Sequence, residues 1–535
     1  MPQQQSRYAV ATQPMLVDGW QLQALTRPSR LFGANGMRIG PDGRIYVAQV
    51  SGSQISAVDV DTGEIEVISP MGGAIIAPDD LVFDAQGNLF VTEISEGRVS
   101  IREPNGNSHV LIGEMPVANP ITIYQGKLIA GELRMGGRVM ELNLDGGAPR
   151  IILDNVPMPN AFEVGPDGKL YMPIMATNEI WRVNLDGSGL ETVARGLGTP
   201  DAVKFDAGGQ IVSTQVGSGE VLRISPLNGE RTVLARLTPG LDNVVFAKGR
   251  TFVSNMAGYI TEILGDGTTR DLIPDGFNWP LGLAVDAGGT LYVADGGFSY
   301  LLRRGADRIM AGHLFGLGYP GYARGVAAAG SGEFIVTTAV GTVARFWPAE
   351  AKSEELARGL GQLYGVAVGP DVIAVAEQDT GRVLGIKPSH AIETLANDLC
   401  RPSGVAFDAA GSCYVSECAA GRVSRLSGGH AQTVLDGLQT PQGLAILGSR
   451  LYILDAGAKS VIEYDLNNKV RRVLASALPV GSPPGITPKP VGAIGAFCGP
   501  VGPFAGIAVG ADGTLYVSAD AEGSVLALIP QRLKQ

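Results

Sequence analysis

The chain has 535 residues, of which 75 are glycine and 33 are proline. Together these make up close to a fifth of the chain, against roughly 12% in an average protein. Hydrophobic residues reach 45% and charged residues 17%, and the glycines show no three-residue period, which excludes a disordered or collagen-like chain. The net charge of −11 argues against nucleic acid or an anionic membrane as a partner, because both repel a negative protein.

The cysteine content and the hydropathy pattern bear on the compartment. Four cysteines are too few for a disulfide scaffold and suit a reducing environment. No stretch approaches the roughly 20 apolar residues of a membrane helix, and the opening MPQQQSRYAV lacks the basic and apolar regions of a signal peptide. We therefore expect a soluble cytoplasmic protein whose partner is a small-molecule substrate, with an oligomeric state that the sequence leaves open.

The elements begin with an N-terminal arm over 1–31, which contains one candidate strand, WQLQALT at 20–26. After it, one unit recurs about every 40 residues: a polar turn, an apolar inner strand, an Asp/Gly-rich turn and three further strands. Examples of its first half are PDDLVFDAQGNLFVTE at 78–93 and PSGVAFDAAGSCYVSE at 402–417. Four short strands in a repeat of this length are typical of β-propeller blades.

Twelve such repeats can be counted by what we call the rim position, two places before the first large apolar residue of the inner strand. Because propellers usually have about four to eight blades, twelve repeats predict an all-β protein with two six-bladed β-propellers in tandem. The first is predicted over 32–277 and the second over 278–535. The rim positions in chain order are Asn35, Asp79, Asn119, Asn160, Asp201, Asp242, Leu281, Arg324, Tyr364, Ser403, Gln442 and Ala505.

The two ends of the chain suggest how the rings close. Blade twelve runs out after its third strand, VLALI, whereas blade six has a fourth strand of its own, RDLIP. We therefore predict that the strand at 20–26 completes blade twelve, with a strand exchange between blades six and twelve as the alternative. The spacing before blade twelve is longer because of an insertion at 477–504, which is either a surface loop or a lid.

The rim residues differ between the two halves of the chain. All six of the first half are Asn or Asp, whereas the second half has six other residue types. Asn and Asp also favour turns by bonding to their own backbone, but the second half makes the same turns without them. The pattern therefore favours a functional ring in the first propeller over a purely structural one.

Carboxylates that face one another repel unless a cation or protons neutralise them. Carboxylate and amide oxygens, without thiols or imidazoles, select a hard divalent cation, and we expect calcium ahead of magnesium or manganese. The predicted ligands are Asn35, Asp79, Asn160, Asp201 and Asp242.

The ends of the second strands face the same rim, and they supply further candidates. We predict Glu93 and Glu132, together with Asp201, as catalytic groups that handle protons, and Arg134, Asn119 and Asn255 as substrate contacts. A structural alternative exists for the acids, because the second half also carries acids at this place and these would only fix loops. Those acids are Asp295, Glu377, Glu417 and Asp455.

Nucleophilic catalysis by a serine–histidine pair is not expected. The four histidines, His109, His313, His390 and His430, fall in or beside the outermost strands. Three cysteines lie near the predicted rim of the second ring, and they leave a thiol site open there. These are Cys400, Cys418 and Cys498.

The motifs PNAFEVGPDGKLYMPIMATNEIWRVNLDGSG at 159–189 and PLGLAVDAGGTLYVADGG at 280–297 resemble the regucalcin/gluconolactonase superfamily of six-bladed propellers, with its strictosidine-synthase-like and NHL-type relatives. In regucalcin-like lactonases a Glu, an Asn and an Asp at inner-strand starts hold one divalent metal. By this resemblance Asn160 and Asp201 correspond to the family's Asn and Asp. Asn35 stands where the family has Glu, which removes one charge, and Asp79 or Asp242 would restore it.

These observations lead to one main hypothesis and two alternatives. The main hypothesis is a divalent-metal-dependent hydrolase of a small lactone or ester, with its active site at the channel mouth of the first propeller. A lyase or isomerase that uses the same metal ring is one alternative. A non-enzymatic binding scaffold of the NHL type is the other.

Overall fold

The computed structural model describes residues 6–8 and 13–531. Within them the strands form twelve antiparallel sheets, eleven of four strands and one of five. Two short 3₁₀ turns, Met175–Thr177 and Pro348–Glu350, are the helical segments of the described chain. The predicted all-β class with four-stranded blades is confirmed, while part of the predicted arm over 1–31 lies outside the described residues.

The first ring is preceded by β1 (Met15–Leu16) and β2 (Trp20–Ala24). Blades one to three consist of β3 (Met37–Ile39), β4 (Ile45–Gln49), β5 (Gln54–Val58), β6 (Ile65–Ser69), β7 (Pro78–Phe83), β8 (Leu89–Glu93), β9 (Arg98–Arg102), β10 (Ser108–Ile112), β11 (Ala118–Tyr124), β12 (Lys127–Glu132), β13 (Gly137–Leu142) and β14 (Arg150–Val156). Blades four to six consist of β15 (Glu163–Val164), β16 (Leu170–Ile174), β17 (Glu179–Val183), β18 (Glu191–Ala194), β19 (Pro200–Phe205), β20 (Ile211–Gln215), β21 (Glu220–Ile224), β22 (Arg231–Arg236), β23 (Leu241–Ala247), β24 (Arg250–Asn255), β25 (Tyr259–Ile263) and β26 (Thr269–Ile273).

The second ring repeats this arrangement. Blades seven to nine consist of β27 (Leu283–Val285), β28 (Leu291–Asp295), β29 (Phe298–Leu302), β30 (Ile309–His313), β31 (Ala323–Gly330), β32 (Glu333–Thr338), β33 (Val343–Trp347), β34 (Lys352–Ala357), β35 (Leu363–Val368), β36 (Ile373–Glu377), β37 (Arg382–Ile386) and β38 (Ile392–Ala396). Blades ten to twelve consist of β39 (Pro402–Phe407), β40 (Cys413–Glu417), β41 (Arg422–Ser427), β42 (His430–Leu435), β43 (Pro441–Leu447), β44 (Arg450–Asp455), β45 (Ser460–Asp465), β46 (Arg471–Ser476), β47 (Ile507–Val509), β48 (Leu515–Ala519) and β49 (Ser524–Pro530).

Each ring closes through its inner strands. In the first ring the inner strand of each blade contacts that of the next blade, and β23 of blade six contacts β3 of blade one. In the second ring the same succession runs from β27 to β47, and β47 contacts β27. Two closed rings of six blades therefore follow from the strand contacts.

The N-terminal strands complete the last two blades. β2 pairs antiparallel with β49, with Trp20 opposite Pro530 and Ala24 opposite Leu526, so the strand predicted to close blade twelve is confirmed. The alternative exchange between blades six and twelve is wrong, because β26 pairs with β25 in its own sheet. β1 adds a fifth strand to blade eleven by pairing with β46, which the sequence did not predict.

The Asp/Gly-rich segments form the turn between the first and second strands of a blade. In blade two the Oδ1 atom of Asp84 accepts hydrogen bonds from the backbone N–H groups of Gln86 and Asn88, at 2.9 and 2.8 Å. Gly87 follows with a φ of 81°, a conformation that residues other than glycine adopt with strain. The recurring Asp-x-x-Gly pattern therefore sets both the turn and its sharpness.

The core lies between adjacent blades. Apolar side chains of one blade pack against those of the next, as where Tyr171 and Ile180 of blade four meet Val203 and Ile211 of blade five. The rings of Tyr171 and Phe205 pack edge to face, with centroids 4.9 Å apart. Because every blade is buried on both faces, its central strands are almost entirely apolar.

The described chain forms two compact units. One comprises Ser29–Asn278 and Ile486–Ala496, and the other comprises Trp279–Gly485 and Phe497–Gln535 with Met1–Pro28, so far as these are described. The insertion at 477–504 is thus shared, because its middle part belongs with the first ring. In the described part of the chain no helix is long and apolar enough to cross a membrane.

Candidate metal centre

The six Asn and Asp residues of the first ring lie where the inner strands begin, at one end of the channel. All six side chains are buried, with 3–9% of their surface exposed. Burial of six polar side chains is costly unless each has a partner. The partners show how this rim is built.

Each aspartate of the rim lies beside an asparagine of a neighbouring blade that acts on it. The Nδ2 atom of Asn35 donates to Oδ2 of Asp242 at 3.1 Å. The side chain of Asn119 lowers the pKa of Asp79, and that of Asn160 lowers the pKa of Asp201, each against larger effects that raise it. The rim therefore consists of three Asp–Asn pairs, and the two members of each pair come from adjacent blades.

The three aspartates also act on one another. Burial and the neighbouring charge of Asp80 raise the pKa of Asp79 to about 8. Burial, followed by the charges of Asp79 and Asp80, raises the pKa of Asp201. Burial and then the charges of the other acids likewise raise the pKa of Asp242. The ionised ring is therefore unfavourable without a positive charge or protons.

A second polar layer lies deeper in the channel, three positions after a rim residue in three of the blades. Arg38 donates to Oε2 of Glu163 at 2.8 Å, and the Nζ atom of Lys204 donates to the same oxygen at 2.9 Å. Arg38 also donates to the carbonyl oxygens of Leu81 and Ile121, at 3.1 and 2.9 Å. This network joins the inner strands across the channel.

The deeper layer is balanced in charge. Burial disfavours ionisation of Glu163, but the charges of Lys204 and Arg38 outweigh it and lower the pKa of Glu163 to about 2. The same two cations also act on Asp80, whose pKa burial nevertheless raises. Two cations therefore face two carboxylates in this layer, and they leave the three rim aspartates without a matching positive charge.

A hydroxyl on the second strand holds each rim in place. In blade two, Thr92 accepts the N–H of Asp80 at 3.0 Å and donates to the carbonyl oxygen of Asn119 in blade three at 2.7 Å. In blade six, Ser254 donates in the same way to the carbonyl of Asn35 at 2.8 Å. These hydroxyls link neighbouring blades. The sequence signals them as a Ser or Thr one place before the end of the second strand, a signal that the sequence analysis did not use.

The chemistry of the six rim residues fits a hard cation. They offer carboxylate and amide oxygens and no thiol or imidazole, a set that suits calcium better than zinc. Within residues 6–8 and 13–531, however, no three His, Cys, Asp or Glu side chains form a group that could hold a metal ion by themselves. A cation at this rim would therefore need the amide oxygens of the asparagines, and water, besides carboxylates.

The structure argues against the two glutamates as proton-handling groups. Glu93 accepts hydrogen bonds from the N–H of Ile76 at 2.6 Å, from Arg98 at 2.7 Å and from Ser100. Glu132 is held by Arg134 and Arg138. Although burial opposes its ionisation, the bonds from these two arginines lower the pKa of Glu132. Both carboxylates are fully engaged in holding loops, so neither role as a base is retained.

The second ring contains the same arrangement of hydrogen bonds around Glu417, which favours a structural role for this arrangement. Glu417 accepts from the N–H of Cys400 at 3.0 Å, from Arg422 at 2.7 Å and from Ser424 at 2.6 Å. These partners stand at the same sequence offsets as those of Glu93. The alternative that acids at this place fix loops therefore accounts for Glu93. The pattern Glu-x-x-x-x-Arg, present in both halves, could have signalled it.

The three predicted substrate contacts lie in different surroundings. Asn119 belongs to the rim itself. Asn255 uses its Nδ2 on the carbonyl oxygens of Thr238 and Pro239, at 3.1 and 3.2 Å, so it fixes a loop and its assignment as a substrate contact is not retained. The guanidinium of Arg134 donates to Glu132 through Nε and Nη2, with two-fifths of its side chain exposed, and its role as a substrate contact stays a prediction.

The histidines and cysteines are placed largely as expected. His109, His313 and His430 lie on the outer strands β10, β30 and β42. Among the cysteines of the described chain, Cys400 is exposed and Cys498 is buried. The thiol site near the second rim stays a prediction.

The middle of the insertion lies beside the first rim. A side chain at Gly72, in the loop before β7, would come within 3.0 Å of the carbonyl oxygen of Thr487, and one at Gly492 within 3.2 Å of that of Ser95. A side chain at Gly495 would meet Val117, two residues before Asn119, at 3.1 Å. Segment 486–496 therefore runs along the loops at the rim end of blades two and three.

Comparisons with known proteins found distant similarities to solved structures. No family model matches the chain, and no curated protein matches it. A solved structure of streptogramin B lyase is 18% identical over 51% of this chain and 94% of its own, with a TM-score of 0.38. Selenomethionine-substituted virginiamycin B lyase from Staphylococcus aureus is 17% identical over 52% of this chain and 96% of its own, with the same TM-score. Likeness at this level says nothing of activity.

Proposed function

We propose that the rim of the first ring is a divalent-cation centre and that the protein is a metal-dependent hydrolase of a small lactone or ester. The observation that carries the proposal is the set of three buried aspartates, Asp79, Asp201 and Asp242, without a matching cationic side chain among the described residues at the rim. Buried carboxylates are stable when they are paired or bind a metal. Calcium is preferred because it accepts many oxygen ligands in a flexible arrangement and completes its shell with water.

The asparagines have a defined part in this centre. Asn35 holds Asp242 by a hydrogen bond, and Asn119 and Asn160 favour the ionised forms of Asp79 and Asp201. This fixes the carboxylate orientation and leaves the remaining carboxylate oxygens free for a cation. Asn160 is itself held, because its Oδ1 accepts the N–H of Ala161 at 2.8 Å. Such preorganisation lowers the cost of gathering ligands around an ion.

A hydrolytic reaction would divide its work between the cation and the chain. A bound divalent cation supplies Lewis-acid polarisation of an ester or lactone carbonyl and a lower pKa for water. Asp201 would accept the proton, since burial and the charges of Asp79 and Asp80 raise its pKa above the usual range of an aspartate. Arg134 at the entrance would orient a polar group of the substrate, and segment 486–496 would limit the access of bulk water.

The resemblance to regucalcin-like lactonases supports the choice of lactones and esters, since Asn160 and Asp201 stand where that family has its Asn and Asp. The replacement of the family's Glu by Asn35 is offset in this chain by Asp242, to which Asn35 is bonded. The centre would thus keep its negative charge one blade further along the ring.

Metal analysis and calorimetry test the proposal. The purified protein, freed of metal with a chelator, is titrated with Ca²⁺, Mg²⁺ and Mn²⁺, and the hydrolysis of a panel of lactones and aryl esters is followed with and without each ion. We expect one tight site per chain, with calcium preferred, and hydrolysis that chelation removes and the ion restores. A protein that binds none of these ions would overturn the cation centre, while binding without hydrolysis would overturn only the activity.

A further inference from the structure

The rim of the second ring contains an arginine without a matching negative charge. Arg324 is the second residue of β31 and its side chain is fully buried. Its Nη1 donates to the carbonyl oxygen of Leu363 at 3.3 Å, and its Nη2 donates to that of Pro500. Its Nε is buried and has no hydrogen-bond partner. Among the described residues no carboxylate forms an ion pair with this guanidinium, so neutral carbonyls alone receive it.

A buried cation in this state is unfavourable. Removing a guanidinium from water costs several kcal/mol unless an anion compensates it, and carbonyl dipoles do so only in part. Two other arginines of this ring show the usual pairing, because Arg382 contacts Glu377 and Arg422 contacts Glu417. Arg324 has no such carboxylate, and its unused Nε together with a neighbouring Nη is the fork that binds a carboxylate through two hydrogen bonds.

Aromatic and apolar side chains surround this guanidinium. Its central carbon lies 4.8 Å from the ring centroid of Tyr364, and Tyr364 packs edge to face on Phe504, with centroids 5.7 Å apart. Leu281 and Trp279 complete this cluster. The site therefore places the guanidinium of Arg324 beside an apolar surface formed by these side chains.

A second positive group stands next to it. Arg401 donates to Oε1 of Gln378 at 2.9 Å, and Gln378 donates in turn to the hydroxyl of Ser403 at 3.2 Å. The charges of Arg324 and Arg401 both act on Tyr364. In a chain with a net charge of −11, two arginines at one rim mark a local site for an anion.

The channel beneath does not offer room for a ligand. The cavity there has a volume of about 50 Å³ and is lined by the inner-strand glycines and by residues such as Val366 and Leu444. An organic molecule could bind only at the rim itself, where segment 499–504 now lies with the carbonyl of Pro500 on Arg324 and with Phe504 on Tyr364.

We propose that the rim of the second ring binds a small organic carboxylate with an apolar body, held by Arg324 and Tyr364, and that segment 499–504 is a lid which this ligand displaces. The carboxylate takes the place of the Pro500 carbonyl and supplies the missing negative charge. Its apolar body packs on Trp279 and Leu281. Because the lid must open first, the measured affinity is lower than the intrinsic one by the cost of opening.

The test compares acids with neutral molecules of the same shape. The full chain, kept in chelator so that the first ring holds no metal, is titrated with phenylacetate and hexanoate and with phenylacetamide and hexanamide. Binding is followed by calorimetry and by tryptophan fluorescence, since Trp279 lies in the cluster. We expect saturable binding of the acids, with the amides at least about 10-fold weaker because they lack the charge. Equal binding of acid and amide, or no saturable binding of either acid, would overturn the proposal.

Variants assign the site. Arg324→Gln should remove the preference for acids, and Arg324→Lys, which keeps the charge but loses the fork, should weaken acid binding by about 10-fold. Arg425→Gln, at an exposed position on β41, is the matched control and should leave binding unchanged. Trp279→Phe should abolish the fluorescence change while the heat of binding remains. A folded Arg324→Gln protein that still prefers acids contradicts the assignment, and if that variant does not fold, the comparison of acids with amides on the unaltered chain decides.

Discussion

Asn35 donates a hydrogen bond from its Nδ2 atom to Oδ2 of Asp242 at 3.1 Å, although 207 positions separate the two residues in the chain. The bond joins blade one to blade six and closes a ring of three Asp–Asn pairs. Because an amide beside each aspartate carries no net charge, the pairs place the carboxylates without neutralising them. The three rim carboxylates therefore still lack a compensating positive charge.

Replacement of one ring aspartate by asparagine tests whether the rim carboxylates lack a compensating positive charge. Asp201→Asn keeps the shape and removes one of three mutually repelling charges. We expect the metal-free protein to gain about 1–3 kcal/mol of unfolding free energy at pH 8, because a buried carboxylate without a counter-charge is lost. We also expect Ca²⁺ affinity to fall at least about 10-fold. Chemical denaturation and calorimetry measure the two effects.

The opposite signs of these two effects make the experiment specific. Asp154→Asn changes an exposed aspartate on β14 and should alter neither quantity. A loss of stability in metal-free Asp201→Asn would mean that the carboxylate is already compensated within the chain, which contradicts the charge balance described for the channel.

The pH dependence of stability gives a second prediction. The pKa of Asp79 is raised to about 8 in the folded chain, against about 3.9 in an unfolded one, so the folded state binds more protons between these values. The free energy of unfolding of the metal-free protein should therefore fall as pH rises from about 4 to 8. Asp201 and Asp242 act in the same direction. The lowered pKa of Glu163, about 2, affects stability only at more acidic pH.

Calcium distinguishes the pH dependence that comes from the rim aspartates from the pH dependence that comes from other acids with raised pKa values. Burial also raises the pKa of Asp520, to about 6, and that residue belongs to the second ring. Melting temperatures at pH 5.5 and pH 8 should differ less in saturating Ca²⁺ than in chelator, since only the ring aspartates are neutralised by the ion. If the melting temperature of the metal-free protein is the same at both pH values, the three carboxylates do not face one another as described.

The glutamates at the ends of the second strands give a third prediction. Glu93→Gln and Glu417→Gln should each cost roughly 1–3 kcal/mol, because each leaves a buried hydrogen-bonding group or a nearby arginine without its partner. Their partners match one for one, so the two losses should be similar. The hydrolytic rate of folded Glu93→Gln should stay near that of the unaltered chain. A large loss of rate at unchanged stability would restore Glu93 as a catalytic group.

The fold could be predicted from the sequence because the same repeat occurs twelve times along the chain. The rim position and the Asp-x-x-Gly turn each recur at nearly constant spacing, so blade count and strand order followed from periodicity alone. The closing strand β2 was found by elimination, as blade twelve lacked a partner. The pairing of β1 with β46 was missed because two residues, Met15 and Leu16, carry no periodic signal.

The candidate site was only partly predictable. The six rim residues converge as expected because every inner strand starts at the same end of the channel. The pairing of each Asp with an Asn depends on which blades are adjacent, and closure of the ring decides that for Asn35 and Asp242. Glu93 and Glu132 could not be told apart from acids that fix loops, because sequence position alone does not show hydrogen-bond partners. The network of Arg38, Glu163 and Lys204 was missed because the position three places after the rim residue was not compared between blades.

The glycines of the second ring give a last prediction. Each of its six inner strands has glycine one place after the rim residue, whereas in the first ring only Gly36 occupies this position. A side chain at Gly443 would come within 2.8 Å of both the carbonyl oxygen of Ala505 and the amide nitrogen of Ile507 in the next blade. Gly443→Ala should therefore push two blades apart and lower the stability of this ring by about 1–3 kcal/mol. Gly297→Ala is the control, because its new methyl group would meet only Leu314 at 3.8 Å, and calorimetric unfolding of the two variants should show a loss for Gly443→Ala alone.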